Sequence, residues 1–542
     1  LQFSRHYHSF QFYEPLSLAT GGVHTETRLG AVWRSGFDKR VIVINPVSTF
    51  VTSAISLPSG EVQYFDAAGK EIFNYRGASG TLVTVAGTGY FYKGPDSTEF
   101  YGTDGRLRSI SLASGQVFTL TYSDGTTGPN GGFIRDANGN PTLLVLPANT
   151  LIRVADLQGN TLSFGHDIQR RIVIMTDPGS GQYHYSYDAI SNLISVKYPD
   201  TRVRTYGYNE AANMVGGASI RYALTSIVDE NDDLFASFKY DTSGRAVSTE
   251  HAGGAQRYQL TYNASDTSIT DPLATARTVG FATVGGVSRY TSVSLPGGAG
   301  YGTGVKARSH DSNGNVTSQT DFNNGITCYA YDSIRNLETV RVEGLPAGTS
   351  CPAVVGAGAA LPAGSRKIVT EWHARWRLPL RVSEPLRRTS FAYNGDGAAI
   401  CAPASALIAE GGPADQPIAV LCGKTLEATA DADGAQGFSA AAAGPARLWT
   451  YSYNAFGQAL TADGPRTDVA DVTSYVYNAQ GNLASVTNAA GHQTSITDYN
   501  AYGQPLTIVD PNGLTTTLAY DTRQRLTSRN VSGETTAYDY DG

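Results

Sequence analysis

The amino-acid sequence predicts an all-β chain, a long array of antiparallel β-hairpins. Three observations carry that prediction. Tyrosine recurs two residues apart, at Tyr183, Tyr185 and Tyr187, Tyr206 and Tyr208, Tyr329 and Tyr331, Tyr451 and Tyr453, Tyr475 and Tyr477, and Tyr538 and Tyr540. A period of two places those rings on one face of a strand. Turn chemistry comes twice in about 21 residues, which leaves two strands of about seven residues between turns, an ordinary length. The whole unit returns at a nearly constant step: Tyr477, Tyr499, Tyr520 and Tyr540 are 22, 21 and 20 residues apart, and Tyr240 and Tyr262 are 22 apart. Separate β-sandwiches also have short strands and frequent turns, but they do not call for a fixed step with Tyr and Leu in phase.

Each unit follows from its residues. Tyr187-Asp188 with Leu193, Tyr331-Asp332 with Leu337, Tyr477 with Gly481 and Leu483, and Tyr520-Asp521 with Leu526 share one spacing, and Tyr240-Asp241 opens a looser copy. The tyrosine closes a strand. The Asp or Asn after it can accept bonds from the backbone amides of a tight turn. A Gly or Asn a few residues on supplies the left-handed position, and Leu restarts the next strand. Some copies carry Ser191, Arg335 or Gln524 where Gly stands elsewhere. A left-handed residue with a Cβ costs roughly 1 kcal/mol, so those turns are expected to differ in type.

Composition bounds the function. The 542 residues carry 40 basic and 47 acidic side chains, a net charge of −7. Phosphate affinity needs clustered Lys and Arg, so this balance argues against nucleic acid as a partner. No run of 18 or more apolar residues occurs, so no helical membrane span is expected. Gly, at 60, and Pro, at 23, stay below the disordered range of roughly 25–30%. The chain lacks an initiator Met and breaks off within the pattern at Tyr540-Asp541-Gly542, as expected of a piece of a longer protein.

Along the chain, residues 1–100 read as strands without a clean repeat. Repeats run over 101–343 and again over 448–542. Residues 344–447, rich in Ala, Gly and Pro, break the step and read as an insertion or as elongated repeats. They hold Cys351, Cys401 and Cys422, and Cys328 lies just before them. Pairs Cys328–Cys351 and Cys401–Cys422 would close loops of similar size and imply an oxidising compartment. Four cysteines allow three connectivities, and four separate buried thiols are the alternative.

These units resemble the YD repeat of the Rhs proteins, a family of bacterial polymorphic toxins, the C subunit of insecticidal toxin complexes and the animal teneurins. Leu1 to Ser9 and Leu29 to Arg34 resemble the opening domain of bacterial Rhs chains, and Glu371 to Pro379 resembles a segment inside some of their arrays. The resemblance implies a large spiral sheet of hairpins forming a hollow shell or part of one. It also implies a non-catalytic shell of a secreted bacterial toxin, with a C-terminal effector as cargo and a secretion-system spike protein, as in type VI secretion and bacterial competition, as a further partner. A secreted or cell-surface place follows. An adhesion or carbohydrate-binding module is the alternative, with Trp372 and Trp376 as outward stacking platforms.

No catalytic, cofactor or metal residue is expected. Asp510-Pro511-Asn512-Gly513 has the letters of the aspartyl cleavage motif with which Rhs shells commonly end, but it sits mid-repeat, like Asp177-Pro178 and Asp271-Pro272, and reads as a turn. A paired-carboxylate site needs a second Asp, which cannot be placed. The loops at Asp136 and Asp311 begin like calcium loops, yet Pro141 and Val316 replace the sixth-position Gly and Pro147 and Phe322 the final Glu. Asp229 to Asp233 reads as a solvated acidic turn, and Gly302 to Ala307, half a dinucleotide fingerprint, as a flexible loop.

Overall fold

The computed structural model describes residues 2–7, 29–44, 50–72, 77–298, 302–412 and 414–541. Leu1, His8, Ser9 and Gly542, which the sequence analysis touched, lie outside them. The chain is 49% strand and 3% helix. One antiparallel sheet of 35 strands dominates among the described residues, running from Thr81–Val85 to Glu534–Ala537, with each strand paired to the next strand of that sheet. Among the described residues no ladder joins its first strand to its last, so the sheet is a ribbon rather than a closed barrel. A four-stranded sheet over Arg40–Ile72 and a pair, Arg5–Tyr7 with Trp33–Ser35, precede it.

The pairing is interrupted at a recurring place. The register shifts immediately before the repeat tyrosine, at Ser186/Tyr187, Gly207/Tyr208, Lys239/Tyr240, Ala330/Tyr331, Val476/Tyr477 and Ala519/Tyr520. Such a bulge bends a strand and strengthens its right-handed twist. Repeated along the ribbon at the same point of each unit, it coils the sheet.

The coil returns onto itself. Turns far apart in sequence touch: Ser79 meets Asn336, Asp96 meets Arg377, Asp177 meets Tyr502, and Asn231 meets Asp541. Their separations are 257, 281, 325 and 310 residues, and both partners advance together along the chain. A ribbon whose turns meet at such an offset has gone round once and laid a second level beside the first. About twenty strands then make one winding; at ~4.8 Å per strand its girth is roughly 100 Å and its width roughly 30 Å.

The core follows from what covers the ribbon. Leu29, Val32, Ile55, Phe65, Tyr101, Leu107, Leu151, Ile172 and Leu193 are buried in one cluster, in which the opening segment packs against the first-winding strands. The repeats after Tyr453 have no such cover, and their tyrosines are half-buried or exposed.

Through residues 344–447 the ribbon itself continues, in Glu338–Leu345, Arg366–Trp372, Pro379–Glu384, Arg387–Tyr393, Leu421–Ala428 and Arg447–Tyr453. What leaves it are loops, among them a one-turn helix, Cys351–Val355, and a small hairpin, Leu407–Ile408 with Gln416–Pro417. Cys328 is joined to Cys351 and Cys401 to Cys422. Cys328 is fully buried with Val342, Leu345 and Val354, so that bridge pins the helix to the ribbon rather than tying a surface loop. The expected flexible loop at Gly302 to Ala307 is instead largely strand: Gly304–His310 pairs with Val287–Leu295 and Val316–Thr320. The Gly-rich letters carry no helix beside them, so a dinucleotide turn has nothing to rest on.

Candidate functional site: the tyrosine face and the seam

The turns come first, because they place everything else. Asp188 accepts the amides of Ile190 at 2.9 Å and Asn192 at 2.8 Å through one carboxylate oxygen. Asp241 does the same with Ser243 and Arg245, Asn478 with Gln480 and Asn482, and Asp521 with Arg523 and Arg525. The left-handed position is Gly481 at φ 77°, but Ser191 takes it at 69° and Gln524 at 66°. Two of the Gly-less turns therefore keep the common shape and bear its strain. The turn at Asp332 does not. There Asn336, not Arg335, has positive φ, and the Asp332 amide reaches the carbonyl of Leu337 instead of the residue before it. The extra residue pairs Tyr331 with Glu338, whereas Tyr187, Tyr477 and Tyr520 pair with Leu193, Leu483 and Leu526.

The tyrosine hydroxyls have a regular destination that the sequence did not suggest. Tyr208 donates to the carbonyl of Leu193 at 2.8 Å, Tyr187 to Ile172 at 2.7 Å, Tyr262 to Ala246 at 2.7 Å, and Tyr540 to Leu526 at 2.7 Å; Tyr499 donates to Leu483. Each ring thus straps its own hairpin to the strand start of the hairpin before it. Burial pushes the phenols of Tyr187, Tyr208, Tyr262 and Tyr499 up.

Over the first winding this face is covered. Phe3 packs at 5.6 Å from Phe164 and 6.5 Å from Tyr185, and Trp33 at 5.3 Å from both Tyr7 and Tyr206. Trp33 donates to the Tyr208 hydroxyl at 2.7 Å, Arg5 to the Tyr206 hydroxyl at 3.1 Å, and Tyr7 to the carbonyl of Tyr222 at 2.9 Å. The opening segment is therefore a plug on the tyrosine rows.

The seam joins the windings by side chains. Arg523 donates to Glu230 at 2.8 Å, lies 3.7 Å from Asp200 and stacks 4.3 Å over the ring of Tyr198. Glu230 also takes Arg204 at 2.9 Å. The acidic turn is thus not merely solvated, since Glu230 is buried between two arginines from two levels. Burial alone would raise the Glu230 pKa; the Arg204 hydrogen bond and charge, with Arg523 behind them, hold it below its ordinary value of 4.5. Tyr502 donates to both oxygens of Asp177 at 3.1 Å, and burial together with that carboxylate pushes the phenol up to about 12. Farther along, Arg375 binds Glu410 at 2.7 Å, Thr98 at 2.9 Å and the Gly94 carbonyl at 2.6 Å.

Little here supports chemistry. Asp510 accepts the amides of Asn512 and Leu514, and Asp311 and Asp136 cap their turns in the same way. Among the described residues no group of three or more His, Cys, Asp or Glu could hold a metal. Trp376 is buried under Arg375, 3.9 Å from its ring, and Trp372 is partly buried with its indole N–H on the Glu338 carbonyl at 2.8 Å. Neither is the outward stacking platform expected of it. His373 accepts the Arg375 and Trp376 amides through Nδ1, which directs Nε2 to Asp396 at 3.1 Å and fixes this bend.

Residues 499–535, three strands with the Asp521 turn and the strap tyrosine Tyr499, match the family model of the RHS Repeat. Those residues form an RHS repeat. The chain's similarity to solved structures is broad and distant. It aligns with the crystal structure of TcdB2–TccC3–Cdc42 at 12% identity and TM-score 0.48, over 83% of this chain and 24% of that one. With TcdB2–TccC3 lacking its hypervariable C-terminal region the values are 12% and 0.47, over 85% and 22%. With the Photorhabdus luminescens Tc holotoxin pore they are 13% and 0.39, over 85% and 26%. The chain spans about a quarter of the length of the chains it matches. No curated protein matches it. In RHS-repeat terms, the residues that sequence reasoning missed are Arg5, Glu230, Tyr502 and Arg523. They act across about 200 residues or more, and no local pattern marks them.

Proposed function

We propose that this RHS-repeat chain is wall, a non-catalytic part of the encapsulating shell of a secreted bacterial toxin, sequestering a C-terminal effector domain that lies outside residues 1–542. The observation that carries the reading is the ribbon's return onto itself at the seam. A winding of about twenty strands is too wide for its own side chains to fill, since barrels of 16–18 strands already enclose a water-filled channel. The covered tyrosine rows of the first winding and the bare ones after Tyr453 suit a wall that is sealed at one part and lined at another. The two disulfides fit a secreted or cell-surface setting. The mechanism is exclusion: the wall keeps the effector from its targets until a cleavage or an opening releases it. Delivery by a spike protein belongs to the same proposal.

Limited proteolysis of the full-length protein tests this. The segment after residue 542 should survive while the wall is intact and become digestible when seam residues are replaced. Equal digestion in both, or a full-length product with no domain after the repeats, refutes the container. The rival reading, an adhesion or carbohydrate-binding module, draws less support, because Trp376 is buried and Trp372 is committed to a backbone carbonyl.

A further inference from the structure

Where the plug, the first winding and the seam converge, the fold leaves a cavity of about 300 Å³. Phe3, Leu162, Met175, Tyr185 and Val196 form an apolar and aromatic stretch of a lining that is otherwise polar, with Arg5 at one side and Asp177 and Tyr502 at the seam side. That volume is at the lower end of small-molecule sites.

Arg5 is the group that the described architecture leaves over. Its side chain reaches the Tyr206 hydroxyl at 3.1 Å and also engages Tyr198, which leaves part of its five guanidinium donors unused. No carboxylate lies within ion-pair distance of it among the described residues, whereas Arg204 and Arg523 are paired with Glu230, and Arg375 with Glu410. Around Arg5 stand phenols, Tyr185, Tyr198 and Tyr206, rather than anions. The nearby carboxylate of the cavity, Asp177, is already engaged by the Gly181 amide at 2.7 Å and the Tyr502 hydroxyl. A partly buried cation without a counter-ion, in the wall of a cavity with an aromatic stretch, is the complement of an organic carboxylate. Guanidinium and carboxylate match as a two-pronged, charge-assisted pair.

We infer that this cavity is a binding site for a small carboxylate with an aromatic or apolar body, its charge on Arg5 and its body between Phe3, Met175 and Tyr185. The source is a free organic acid or the carboxyl terminus of a peptide; both offer the same group. Because Tyr502 belongs to the second winding and Phe3 and Arg5 to the plug, such a ligand touches the first winding, the second and the plug together. Its binding tightens the seam. The inference does not depend on the container reading, since the cavity and its charges are the same whatever the wall encloses.

Isothermal titration of the intact chain tests it with two acids, benzoate and N-acetylphenylalanine, and their neutral amides, benzamide and N-acetylphenylalaninamide. At least one acid should bind saturably, its amide at least tenfold more weakly, and Arg5→Met should weaken the acid at least tenfold. Preference for benzoate points to a free acid; preference for N-acetylphenylalanine points to a chain terminus. The inference is overturned if neither acid binds at millimolar concentration, if acid and amide bind alike, or if a folded Arg5→Met variant binds unchanged. Should that variant not fold, the acid–amide comparison in the unaltered chain decides alone.

Discussion

Replacing Arg523 by alanine should open the seam without unravelling either winding. The side chain makes one charge-assisted bond to Glu230 at 2.8 Å and lies over the Tyr198 ring at 4.3 Å. Such a bond contributes about 1.5–3 kcal/mol, and the ring contact about 0.5–1. Glu230 is not orphaned, because Arg204 stays at 2.9 Å, so the penalty of a bare buried carboxylate does not apply. The expected loss is therefore about 2–4 kcal/mol of local opening free energy, confined to the turns around 198–202, 229–233 and 521–525. Native-state hydrogen exchange should show amides of those turns exchanging roughly 30- to 1000-fold faster, with the strand Gln182–Tyr187 unchanged. The pH dependence has a definite sign. Glu230 titrates below its ordinary 4.5 in the fold, so its contribution is complete above that value and is lost as pH falls through the depressed one. In the variant, that acid loosening of the seam should shrink. An exchange change under about threefold, about 0.7 kcal/mol, or one spread evenly over the ribbon, would refute the reasoning.

Other outcomes follow from single contacts. Gly481→Ala should destabilise more than Gly513→Ala: both have positive φ, but a Cβ at 481 meets Gln158 at 2.9 Å while none lies within 4 Å at 513. Denaturant titration should give about 1 kcal/mol for position 513 and more for 481. Tyr262→Phe removes the bond to the Ala246 carbonyl at 2.7 Å and should cost about 1 kcal/mol by the same assay. Reducing Cys401–Cys422, 21 residues apart, should cost up to about 3 kcal/mol. The loss should fall toward the low end, because Asn394 and Tyr453 already hold Cys401 through its backbone, and melting with and without reductant measures it. Trp376→Ala empties the cluster it shares with Ile408 and Ile418 and should cost about 3–5 kcal/mol, read from thermal unfolding.

The hairpin array was legible because its determinants are local. A tyrosine every second residue, an Asp two and four residues before the amides it caps, and a Gly at the left-handed step each act within one unit, so Asp188, Asp241 and Asp521 could be placed from letters alone. The bulge before each tyrosine was not legible, because it is set by the register of the partner strand. Arg335 misled for a related reason: its turn has an extra residue, and the left-handed burden passes to Asn336. The seam was illegible altogether. Arg523 and Glu230 are 293 residues apart, and each looks locally like an ordinary turn residue. Trp372 and Trp376 read as surface aromatics because the segment around them is rich in charge, yet Arg375 covers one ring and a backbone carbonyl claims the other indole.

The plug carries a consequence for the order of events during synthesis. Tyr7 docks on the carbonyl of Tyr222, 215 residues later, and Arg5 on Tyr206, 201 residues later. Hairpins can form one by one as the chain emerges, since their contacts are near neighbours. Arg5 and Tyr7 cannot dock until about two hundred later residues have left the ribosome. They are made before their partners and placed late, and any factor that holds this segment sets the moment at which the first winding is covered.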